Sequence, residues 1–205
     1  MNRAQAVGLA LGVVAVVAVA VFGVARFLDD EPYTYAAIQI ESPQAMPDIR
    51  LTTASGQSWA LSESDAEVTA VYFGYTHCPD VCPLTMSELA AARDAMPEDR
   101  QAEFQVVMVT VDPARDTPEV MDTYVHHFDD SFIGLSGTED EVAGVMQGWG
   151  ILAQREDVEG SASYFMSHPA GVNVVDADGR IRLLIPIGVD PKAIASDILH
   201  LMDAG

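Results

Sequence analysis

The chain has 205 residues, 49% of them hydrophobic and 20% charged, enough for one ordinary domain and little more. Ten Lys+Arg against 31 Asp+Glu give a formal charge of −21, a surface that repels phosphate backbones and excludes nucleic acid as a partner. With only two cysteines, a multi-bridge secreted scaffold and a four-cysteine zinc module are also excluded.

After a short tail (1–5), residues 6–25 carry no charge or strong polar group. At 1.5 Å per residue a helix of this length spans about 30 Å, the thickness of a bilayer core, so a transmembrane anchor is expected. A cleaved signal peptide is the rival. Its apolar region is shorter, and the small-x-small site Ala18-Val19-Ala20 is followed here by more apolar sequence. Arg3 with the amino terminus before the run, against Arg26 after it, slightly favours an exported domain. Residues 26–44 read as an acidic tether with a lead-in strand at Tyr33–Ile40, and 45–205 as the folded domain.

Within that domain Asp48–Thr53 reads as a strand and Val68–Phe73 as a stronger one. Phe104–Val111 is almost continuously apolar, as a strand covered on both faces should be. A helix is expected from Cys82 to Met96, and another from Asp116-Thr117-Pro118-Glu119 to Phe128. Thr138-Glu139-Asp140-Glu141 is a capping box opening a third. Past a polar connection, Val172–Val175 and Ile181–Ile187 flank Asp176-Ala177-Asp178-Gly179 as a hairpin, and Asp190-Pro191 opens a closing helix to Met202. A βαβ unit followed by ββα is the thioredoxin arrangement, with the first two sheet strands parallel. The expected class is therefore α/β, a thioredoxin-like fold with N-terminal strand additions, preceded by one transmembrane helix.

Cys78 and Cys82 lie in Tyr75-Thr76-His77-Cys78-Pro79-Asp80-Val81-Cys82-Pro83, between the strong strand and the helix after it. Both sulfurs fall at the carboxyl edge of the sheet, and a helix N-terminus favours thiolate. Three readings stay open: a passive pair, a redox dithiol (with three residues between the cysteines rather than the usual two), and a metal site. A third ligand separates the last from the others. His126, His127 and His200 fall on helices and read as solvated, and His77 as exposed. His168, in Ser167-His168-Pro169-Ala170-Gly171, directly precedes a strand expected to run antiparallel beside the one leading to the cysteines. It can therefore return to the cysteine turn, a reading balanced on geometry against that of a loop histidine. Two thiolates and one imidazole form a soft set suited to Cu(I), with the imidazole also serving Cu(II). Zinc would want a fourth ligand. Asp112 ends the second strand at the same edge but also suits opening the turn, and Met166 reads as packing.

Val71–Pro83 resembles the central motif of the Sco/SenC family of membrane-anchored, thioredoxin-like copper proteins. Val109-Thr110-Val111-Asp112-Pro113-Ala114-Arg115-Asp116-Thr117-Pro118 is similar to its second block, and Phe132–Thr138 to its third. His168 falls where the family has its ligand histidine, although Ser167-His168-Pro169 replaces the more usual Asp-His-Ser. The resemblance implies copper held by Cys78, Cys82 and His168. It implies delivery to, or thiol reduction within, the dinuclear copper centre of cytochrome c oxidase. The partners it implies are the oxidase copper subunit, a periplasmic dithiol reductant and another copper chaperone. The implied location is the inner membrane, single-pass, with the domain in the periplasm.

Overall fold

In the computed structural model the described residues are 33–204, together with Gly12 and 16–21. The expected anchor at 6–25 lies largely outside them, and among the described residues no helix is long and apolar enough to cross a membrane. The chain divides at residue 34/35, and the account below concerns the second unit, Tyr35–Gly205.

Among the described residues of this unit, ten strands and four α-helices follow in chain order: β1 (Ile38–Gln39), β2 (Arg50–Thr52), β3 (Ser58–Ala60), β4 (Val68–Gly74), α1 (Val81–Asp94), β5 (Phe104–Thr110), α2 (Pro118–Val125), β6 (Ile133–Leu135), α3 (Glu139–Gly148), β7 (Gln154–Asp157), β8 (Tyr164–Ser167), β9 (Val172–Asp176), β10 (Ile181–Ile185) and α4 (Pro191–Asp203). Six strands form one sheet in the order β1-β10-β9-β4-β5-β6. β4, β5 and β6 are parallel, while β9 runs antiparallel to β4, and β10 to β9. This is the expected thioredoxin-like α/β order. β2–β3 and β7–β8 are separate two-stranded ribbons.

The reason for the central position of β4 lies in its composition. Val68-Thr69-Ala70-Val71-Tyr72-Phe73-Gly74 offers no charged side chain to either face, and all seven residues are buried. A strand of this kind is stable only with cover on both faces, which forces helices onto each side of the sheet. Helix α1 packs against α4, and α2 lies on β6 and β5. The start signals act as read. Thr117 caps α2 with proline at its first turn, Thr138 and Glu141 form the reciprocal box on α3, and the Asp190 carboxylate accepts the N–H groups of Lys192 and Ala193 to open α4.

Besides the short strands β3 and β6, which were not expected, two elements differ from the sequence reading. The lead-in strand shortens to two residues, because the N–H groups of Ala36 and Ala37 turn aside to the buried Asp197 carboxylate at 3.2 and 2.8 Å. The stretch read as a polar connection holds the hairpin β7–β8. The sequence of β7, Gln154-Arg155-Glu156-Asp157, has no apolar alternation from which to read a strand, since β7 is exposed throughout and the ribbon meets the core through Met166 of β8.

Candidate metal centre

Strand β4 ends at Gly74, whose carbonyl accepts the N–H of Val111 at 2.8 Å and so brings the end of β5 alongside. Its lack of a Cβ matters here: one added would lie 3.2 Å from the Cys82 sulfur and 2.7 Å from the Tyr72 ring. The following turn leads into α1, where Asp80 stands at the cap position with no capping bond from its side chain. Cys78 takes over that role. Its sulfur accepts the N–H of Cys82 at 3.5 Å, as a capping oxygen would.

The two sulfurs therefore sit in different surroundings. Burial pushes the Cys78 thiol up, but the N–H groups of Cys82, Asp80 and Val81 outweigh it and leave the pKa below that of an ordinary thiol. Cys82 is fully buried, and burial dominates there, pushing its pKa up to about 12 despite a hydrogen bond donated by the Tyr72 hydroxyl at 3.3 Å. Both cysteines are free thiols. Cys78 is the partly accessible, acidic member and Cys82 the protected one.

His168 does return to this turn. In the antiparallel pairing of β9 with β4, Asn173 stands opposite Val71, so the chain just before β9 lies level with the end of β4. Ribbon β7–β8 delivers it there, with His168 directly after the last residue of β8. Its Nε2 stands 3.8 Å from the Cys82 sulfur, across 86 positions of sequence. Nδ1 lies 2.9 Å from the Pro169 carbonyl, a group that can only accept, so Nδ1 carries the proton and the Nε2 lone pair faces the sulfur. Pro169 thus supplies the ring's orientation locally. Tyr72 and Tyr75 wall the ring edge-on, at centroid separations of 6.3 and 5.8 Å. Burial lowers the His168 pKa, partly offset by the Pro169 bond, which keeps the ring neutral at neutral pH.

That depression has a consequence for stability. The unfolded chain takes up the His168 proton near the ordinary value of 6.5, and the folded chain only at lower pH. The unfolded state therefore binds more protons as pH falls through this window, and folding stability contributed here is lost. In urea unfolding of the metal-free domain between about pH 7.5 and 5.5, His168→Gln should flatten the stability profile relative to wild type. An unchanged slope would refute it.

The other sequence candidates are elsewhere. His77 is half-exposed, 3.0 Å from the Thr76 hydroxyl and 3.7 Å from Asp116. His126 pairs with Asp122 one turn back, His127 meets the Phe128 ring, and His200 meets Tyr35. Met166 packs against the core. Asp112 opens its turn, its carbonyl accepting the N–H groups of Arg115 and Asp116, and its carboxylate holds Arg115 and Tyr164 rather than a sulfur. Three contributors were missed in the sequence. Tyr72 reaches Cys82, Tyr164 reaches Asp112, and the fully buried Asp116 accepts both the N–H and the hydroxyl of Thr76, at 3.0 and 2.6 Å, and the hydroxyl of Thr110 at 2.8 Å. Period-2 alternation from Gly74 was a usable signal only for Tyr72.

Among the described residues, no group of three or more His, Cys, Asp and Glu side chains encloses a metal as it stands. Cys82 and His168 are in place, while Cys78 has its sulfur on the helix N-terminus. The donor chemistry fits a soft ion. Cys82 and His168, with sulfur and nitrogen 3.8 Å apart, would offer such an ion one soft and one borderline donor.

Fold and site together define a thioredoxin-like protein with a two-sulfur, one-imidazole set at the carboxyl edge of its sheet. The SCO1/SenC family model matches residues 39–203, and the chain belongs to that family. Among solved structures, the apo Sco1 protein from Thermus thermophilus is 33% identical with a TM-score of 0.71, over 84% of this chain and 97% of that one. ScoI of Bradyrhizobium japonicum, solved with copper bound, is 31% identical with a TM-score of 0.70, over 77% and 99%. The SCO2-like protein of Rickettsia felis is 28% identical over 148 residues, 72% of either chain.

Proposed function

We propose that this protein is a membrane-tethered copper metallochaperone that carries copper on Cys78, Cys82 and His168 to the dinuclear copper centre of cytochrome c oxidase. The observation that carries the reading is the neutral His168 Nε2 facing the Cys82 sulfur at 3.8 Å. Copper is cargo here. The copper-bound ScoI relative supports the choice of metal, and the soft donor set favours Cu(I) while leaving an imidazole for Cu(II). An open three-donor site suits transfer, because an incoming ligand approaches before an outgoing one leaves. Each thiol that binds gives up its proton, Cys78 readily and Cys82 only as the metal displaces it.

The apolar run at 6–25 supports an inner-membrane anchor, with the domain in the periplasm. An oxidising compartment closes dithiols, so a periplasmic dithiol reductant must keep the pair open, and another copper chaperone would load it. The test is a Cu(I) titration of the reduced protein against a chromogenic chelator. One tightly bound ion is expected, with affinity reduced at least about tenfold in His168→Ala. Equal affinity in the two would remove histidine from the site.

The asymmetry of the cysteines favours a second reading, a thiol-disulfide reductase acting on the oxidase copper subunit. The accessible, acidic Cys78 is the sulfur that would attack and the buried Cys82 the one that would resolve. That activity would survive in His168→Ala and vanish in Cys78→Ser.

A further inference from the structure

Ribbon β7–β8 is a two-stranded sheet of its own, and such ribbons are marginal in water unless something holds them. Since His168 directly follows β8, whatever fixes the ribbon to the body also fixes the imidazole. One attachment stands out, at Tyr164, the first residue of β8. Its hydroxyl donates to the Asp112 carboxylate at 2.8 Å, and its carbonyl accepts from the Arg115 guanidinium at 3.1 Å. Its ring lies between two cations, with the Arg115 guanidinium 3.5 Å and the Arg155 guanidinium 3.9 Å from the ring centroid. Arg115 and Asp112 are themselves an ion pair in the β5–α2 turn, where Asp112 is buried. Arg155 belongs to β7. Tyr164 is therefore clamped from the body on one side and from its own ribbon on the other.

The clamp also reaches the imidazole from a second direction. The Arg115 guanidinium lies 5.8 Å from the Tyr75 ring centroid, and His168 meets the same ring edge-on at 5.8 Å. We propose that Tyr164, gripped by Arg115 and Asp112, is a positioning residue that holds His168 at the metal site. It touches no metal ligand and acts through the placement of the ribbon. The inference rests on the copper reading above.

A double-mutant cycle separates this role from ordinary stabilisation. Tyr164→Leu should lower Cu(I) affinity by about tenfold in the wild-type background, as loss of a ligand-orienting contact does, and by nothing further in His168→Ala. Tyr164→Phe keeps the ring between the guanidiniums and loses only the hydroxyl bond, so its loss should fall between wild type and leucine. Without metal, the His168 ring resonances in NMR spectra of Tyr164→Leu should move toward those of a free histidine. Unchanged affinity in Tyr164→Leu, or the same loss in both backgrounds, would overturn the proposal. Should the leucine variant fail to fold, the phenylalanine variant is judged by the same two comparisons. If His168→Ala alone binds copper as tightly as wild type, the copper reading fails instead, and the ring resonances still decide the clamp.

Discussion

Replacing Cys82 by serine should lower Cu(I) affinity by about a thousandfold or more, some ~4 kcal/mol, in chelator competition on the reduced protein. The size of the effect follows from position. Cys82 is the fully buried sulfur, it faces the His168 lone pair, and it holds the Tyr72 hydroxyl. A serine oxygen is harder and shorter, so it offers a poorer donor to a soft ion and leaves the imidazole without its partner. Cys78→Ser should cost less in folding, because the serine oxygen still caps the N–H of Cys82, yet it too removes a thiolate. Affinities for both variants within twofold of wild type would show that copper is held elsewhere.

The second large effect is expected at Asp116, which no sulfur touches. Asp116→Ala should destabilise the domain by about 3 kcal/mol in urea unfolding, because it strands several buried or half-buried donors at once. The carboxylate binds the N–H and hydroxyl of Thr76, two residues before Cys78, and the hydroxyl of Thr110 at the end of β5. The Asp116 main-chain carbonyl accepts the Ser136 hydroxyl in the segment after β6, a bond that the alanine variant keeps. Asp116 thus joins the ends of three parallel strands to the cysteine turn. Copper affinity should fall together with stability in this variant, and a melt indistinguishable from wild type would sink the assignment. Asp116→Asn keeps an acceptor oxygen and should recover part of both losses.

Much of the fold could be read from the chain because its main elements carry their own signals. Almost continuously apolar, uncharged runs at 68–74 and 104–110 announce strands covered on both faces, and Thr117-Pro118, Thr138–Glu141 and Asp190-Pro191 announce helix starts from local hydrogen bonding alone. The cysteine pair was equally legible, since a Cys-x3-Cys turn between such a strand and a helix has one place to be. Ribbon β7–β8 was not. Its residues answer to an arginine and an aspartate some 49 to 52 positions away rather than to any period of their own.

The residue types at the site, the acidic surface and the order of strands and helices are therefore properties of the sequence itself. The juncture of imidazole and sulfur is a property of the folded chain. The antiparallel register of β9 on β4, the Pro169 carbonyl that sets the ring's tautomer, and the Tyr164 clamp decide it together. Local propensity acts over a few residues, whereas a contact across 86 positions exists only once the sheet has brought both ends to one edge.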